Sequence, residues 1–135
     1  KINLTFNSSI NISNSILDKN VLEFVNYDLL SFYNSPGEII SLFNFAEEKS
    51  INLKDHTISS FISLIIENNY YKKNKPVKIL LVNLIELFFL KEYLITNAKI
   101  SLINFYQKFI KMIHDTEKFN LDEESLFLEF KSKLL

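Results

Sequence analysis

His56 and His114 are the two side chains able to exchange a proton near neutral pH without a shifted pKa. Each has an acidic neighbour, Asp55 before His56 and Asp115 after His114. Adjacent residues on a helix point in different directions, so neither pair is aligned for a proton relay by spacing alone. His114 and Glu117 stand at i, i+3, a spacing that brings two metal ligands onto one helix face. Zinc needs three or four protein ligands, and no HExxH pattern or nearby second histidine completes the set. His114 therefore reads as a residue near a helix C-terminus. Glu86 and Glu92 are not at i, i+3 or i, i+4, so they form no carboxylate dyad. Serine is common, yet no nucleophile elbow and no Ser-x-x-Lys motif occurs. Gly37 is the single glycine, too few for a phosphate-cradling loop. The expectation is a chain that is not an enzyme, with no catalytic residue, no metal and no cofactor.

Contacts to nucleic acid come next. Lys72, Lys73, Lys75 and Lys78 cluster at a helix start, beside Tyr70 and Tyr71. Aromatics among lysines can stack a base and hold its backbone, so Tyr70, Tyr71, Lys72, Lys73 and Lys75 are the candidate contacts for a weak nucleic-acid binder. Against this, the formal net charge is −1 and every basic residue is lysine. Without arginine there is no bidentate fork for phosphate or guanine. The cluster reads better as a solvated linker, and nucleic acid as an unlikely partner. A membrane surface is also unlikely, since Lys99, Lys108 and Lys111 beside one apolar stripe are thin support. Residues 1–70 carry four lysines against eight acids and residues 71–135 eleven against eight, a mild asymmetry that helps orient a partner or a second copy.

These residues must be held by elements, and the composition says which. A length of 135 residues fits one domain, and 47% hydrophobic residues with 13 Phe argue for a packed core. One glycine and two prolines leave little room for a sheet with tight turns. No cysteine is present, which removes disulfides and thiolate sites and leaves the redox compartment open. Abundant Lys, Asn and Ile with scarce Gly, Ala and Arg suit an A+T-rich genome, viral or bacterial. The expected location is cytoplasmic, with a secreted form left open. Asn3, Asn7 and Asn11 head Asn-x-Ser/Thr patterns that would matter only after secretion.

Apolar periodicity predicts an all-α fold, a compact bundle of five to seven mostly antiparallel helices around a central hydrophobic helix. In residues 1–14, Ile2, Leu4 and Phe6 alternate with polar residues, as do Ile10 and Ile12, which predicts an extended N-terminal arm or edge strand ahead of a helical domain at 15–135. A first helix is expected over 15–33, with Leu17, Val21, Phe24, Val25, Leu29 and Phe32 on one side. Ser35-Pro36-Gly37-Glu38 carries a capping box for a second helix to about Glu48. Asp55 or Thr57 caps a third, with the stripe Ile58, Phe61, Ile62, Ile65 and Ile66. The fourth spans Val77–Ile95 and the fifth Lys99–His114. The sixth starts near Asn120-Leu121-Asp122-Glu123 and carries Leu126, Phe127 and Phe130.

The fourth helix carries the functional reading. Leu81, Leu84, Leu87, Phe88 and Ile95 define its core face, yet Val82, Ile85 and Phe89 lie on the side where water is expected. An apolar trough with charged edges is what helix-in-groove recognition uses. The expectation is a non-catalytic protein-interaction domain of an adaptor, effector or regulator, binding a protein partner or forming a homodimer. Val82, Ile85 and Phe89 are its contacts, with Glu86 and Lys78 as orienting rim charges. A ligand-sensing or helical-repeat domain of a larger regulator is the alternative.

Overall fold

The computed structural model describes residues 5–31, 34–119 and 122–134. Among the described residues the protein is all-helical, with six α-helices and no strand: α1 (Phe6–Leu17), α2 (Pro36–Glu48), α3 (Ile58–Glu67), α4 (Lys75–Ile95), α5 (Lys99–Phe119) and α6 (Glu123–Ser132). The bundle expected from periodicity is present. α4 lies at its centre, in contact with α2, α3 and α5, while α6 packs on α3 and α5 and α1 packs on α2.

The starts of α2, α3, α4 and α6 follow from side chains that satisfy free backbone donors. Ser35 Oγ accepts from the Glu38 N–H while the Glu38 carboxylate accepts from the Ser35 N–H, so the predicted capping box is formed. Thr57, not Asp55, caps α3 through the Ser60 N–H. Asn74 caps α4 through the Val77 N–H, with Pro76 in the first turn. Asp122 caps α6 by accepting from the Glu124 and Ser125 N–H groups. Asn120, also considered for that start, lies outside the described residues.

The N-terminal arm is corrected. Residues 6–17 are a helix, not a strand, capped by Thr5, whose hydroxyl accepts from the Ser8 N–H. The alternation of Ile10 and Ile12 was misleading, because the buried face of α1 is Ser9, Ile10 and Ser13, with Phe6 and Leu17 half-buried beside it. Two of those positions are serines, which conceals the helical period. Ser13 donates to the Ser9 carbonyl within the helix, so its hydroxyl is satisfied in place. Ile12 and Ile16 point outward. Asn7 and Asn11 are exposed on α1, while Ile2, Asn3 and Leu4 lie outside the described residues.

The first predicted helix, 15–33, is corrected as well. The chain leaves α1 at Asp18 in the left-handed region, φ 53°, and continues as two 3-10 turns, Val21–Glu23 and Tyr27–Leu29. Asn and Asp side chains cause the break by competing with the helix for backbone donors. Asn14 accepts from the Val21 N–H, and Asn26 accepts from the Asp28 N–H. Val21, Val25 and Leu29 are still buried, so the apolar spacing served the core without a continuous helix. Phe24 is exposed and Phe32 lies outside the described residues.

The α3 stripe is buried as expected, as are Leu126, Phe127 and Phe130 of α6. α6 folds back across α4 and α5, and its Phe130 ring meets Phe88, Phe89 and Phe109. Three ion pairs tie α6 to its neighbours: Lys72 to Glu124, Lys78 to Glu123 and Lys131 to Glu67. No helix of the described residues is long and apolar enough to cross a membrane.

Candidate functional site

Two clefts open along the seam between α4 and α5, and Glu86 lines both. The larger, about 710 Å³, lies toward the start of α4 and is lined by Lys73, Lys75, Lys78, Val82 and His114 among others. The smaller, about 240 Å³, lies toward its end and is lined by Phe89, Leu90, Tyr93, Leu102, Ile103 and Tyr106 around Glu86. The first is edged with lysines. The second is apolar apart from Glu86 and two tyrosine hydroxyls.

The docking surface expected at Val82, Ile85 and Phe89 is only partly present. Val82 is half-buried and Glu86 is exposed, and both line the larger cleft with Lys78. Ile85 is 0% exposed and Phe89 4%, so neither offers a surface to a partner. Phe89 is instead the hub of the aromatic core, with the rings of Phe88, Phe105, Tyr106, Phe109 and Phe130 centred 5.0–6.3 Å from its own. Phe89 is enclosed because α5 and α6 bring Phe105, Tyr106, Phe109 and Phe130 onto a side of α4 that a single helix's periodicity leaves open. Lys78 is engaged with Glu123 rather than standing free as a rim charge.

The apolar excess of α4 lies further along the helix. Leu94, Ile95 and Ile100 are 69%, 76% and 78% exposed, and Leu90, Tyr93 and Ile103 are exposed beside them. Leu90 and Leu94 stand one turn apart on α4, and Ile100 and Ile103 one turn apart on α5. Leu90, Tyr93 and Ile103 share the smaller cleft, which bridges the two helices. Thr96-Asn97 turns the chain between them, with the Thr96 hydroxyl accepting from the Ala98 N–H. Ile95, expected in the core, is corrected to this surface. The sequence held a signal for the patch: the apolar run of α4 continues to its last residue, and α5 resumes it at once.

The charges around the seam are graded. Partial loss of hydration, with the Glu38 carboxylate adding to it, pushes the Glu86 carboxyl up, although much of the residue is exposed. The Tyr106 hydroxyl is pushed up by burial and by Glu86. At the α4 terminus, Lys91 donates to the carbonyl and carboxylate of Asp28, which also accepts from the Ile58 N–H at 2.7 Å and so helps hold the start of α3. Burial raises the Asp28 pKa, but these hydrogen bonds and the lysine charge outweigh it, and the net direction is down.

The expected nucleic-acid contacts do not assemble into a platform. Tyr71 is buried against Phe127, 4.8 Å between ring centres, and its hydroxyl is pushed up by burial and by Glu124, Glu123 and Asp122. Tyr70 packs edge-on to Phe45 and lies beneath Lys49. Lys72 is paired with Glu124, while Lys73 and Lys75 are exposed at the rim of the larger cleft. His56 lies 3.3 Å from the Ser60 hydroxyl, and His114 is exposed on α5. The side chain of Glu117, paired with His114 by spacing, lies outside those described. Among the described residues no three His, Asp or Glu side chains converge to hold a metal ion. Comparison with family models, curated proteins and solved structures finds no match to this chain.

Proposed function

We propose that this chain is a helical protein-interaction domain, of the kind found in adaptors, effectors and regulators, which works by burying the exposed end of its α4–α5 hairpin against a protein partner. The observation that carries the reading is the group of exposed apolar side chains at the facing ends of α4 and α5, with Leu90, Tyr93 and Ile103 around one cleft. Folded chains rarely leave large aliphatic side chains open in a contiguous group unless something covers them. The Leu90 and Ile103 part of the group rests beside Phe89 and Tyr106, which line the same cleft. Glu86 gives the apolar cleft one carboxylate, carried on regular helix.

Photo-crosslinking from a benzoylphenylalanine at Leu94 in expressing cells tests this reading, with the same probe at Asn11, exposed on α1, as control. A discrete adduct formed from position 94 and not from 11 is expected. Equal labelling from both positions, or none from 94, would sink the proposal.

A further inference from the structure

We infer that the partner covering this end is a second copy of the same chain, docked hairpin against hairpin about a two-fold axis; the inference rests on the protein-interaction reading above. Three observations converge on it. The first is area. Leu90, Tyr93, Leu94, Ile100 and Ile103 together expose on the order of 500 Å², below the roughly 800 Å² per partner of a standard stable interface. A two-fold pairing counts that patch twice, to about 1,000 Å² in total, the size of a weak, transient interface.

The second is shape. α4 and α5 present adjacent stripes, Leu90 with Leu94 and Ile100 with Ile103, which amount to half of a four-helix packing layer. The same two stripes from another copy supply the missing half. An interface about a two-fold axis uses one patch on both sides, so a self-complementary apolar surface meets the symmetry requirement directly.

The third is charge. Near the patch Lys99 donates to the Tyr93 carbonyl, Glu86 lines the cleft, Lys91 is already paired with Asp28, and the whole chain carries a formal charge of −1. Two copies therefore approach without a large repulsive field. A strongly acidic or strongly basic partner would find no excess of opposite sign here.

Sedimentation velocity on the full 135-residue chain, from about 1 to 300 µM, reads the result, a range that spans weak self-association. The expected outcome is a reversible monomer–dimer equilibrium. Leu94→Glu and Ile100→Glu, each at a strongly exposed position, should keep the helical circular dichroism and weaken dimerisation tenfold or more. Asn11→Glu should leave it unchanged. A chain that stays monomeric at every concentration overturns the inference, as does a dimer indifferent to both substitutions at the patch. The Leu94 crosslink separates the two readings. An adduct with a different protein alongside a monomeric purified chain retains the interaction domain and removes the second copy. Monomer with no adduct removes both.

Discussion

Truncating Phe89 to alanine deletes a ring that touches five others, so the loss combines transfer free energy with a cavity that rigid neighbours cannot fill. Phe89→Ala should cost about 3–5 kcal/mol, measured by urea denaturation. Leu94→Glu, on the same helix but facing water, should stay within about 0.5 kcal/mol of the parent in the same experiment at concentrations where the chain is monomeric. The contrast separates core from display surface along one helix. Glu86 makes a third prediction at this scale. A carboxyl whose folded pKa lies above its unfolded value favours the protonated form on folding, so the linked stability is present at low pH and is lost as pH rises through the folded pKa. Glu86→Gln should therefore stabilise the protein at pH 7, by no more than about 0.5 kcal/mol because water screens an exposed carboxylate. The gain should vanish near pH 3, where glutamate is itself neutral; an equal gain at both pH values would assign it to packing instead.

Helices α2, α3, α4 and α6 owe their starts to single side chains, and the best-defined start was also the most legible. Ser35→Ala opens the capping box of α2 and should cost about 1 kcal/mol in thermal or urea unfolding. Asp28 acts between elements: it accepts from the first residue of α3 and holds Lys91 of α4. Its folded pKa lies below the unfolded value, so its contribution is present above about pH 4 and disappears as pH falls through the folded pKa. Asp28→Ala should cost about 1–2 kcal/mol at pH 7 and progressively less below pH 4, followed by urea midpoints across pH. Where the apolar period was continuous, as in α3 and α6, the buried faces were read correctly. It failed where polar residues shape the helix. Ser9 and Ser13 form the buried side of α1, and Asn14 and Asn26 stop a run that aliphatic spacing alone would extend to Tyr33. The site was legible to the same degree. The apolar excess of α4 is evident in sequence, but which of its faces stays open depends on where α5 and α6 land. That landing is a long-range event, recorded in the contacts of Phe130 with Phe88 and Phe89 and in no local pattern.

For the molecule as a whole, α6 closes the structure, held by both ion pairs and aromatic packing. Lys72–Glu124 and Lys131–Glu67 are partly exposed pairs, which contribute little and are screened by salt. Phe127 and Phe130 are fully enclosed. Raising NaCl to about 1 M should therefore move the melting temperature by no more than about 2 °C. A much larger drop would make the charges, not the rings, the closure of α6. The aromatic hub beneath the smaller cleft has one more consequence. Anything that settles over Leu90 and Ile103 rests on side chains already wedged in place, with backbone torsions fixed by two regular helices. The backbone has little freedom to surrender on contact, and the cost of ordering falls on open side chains such as Leu94 and Ile100, so the heat-capacity change of association should track the oily area removed from water.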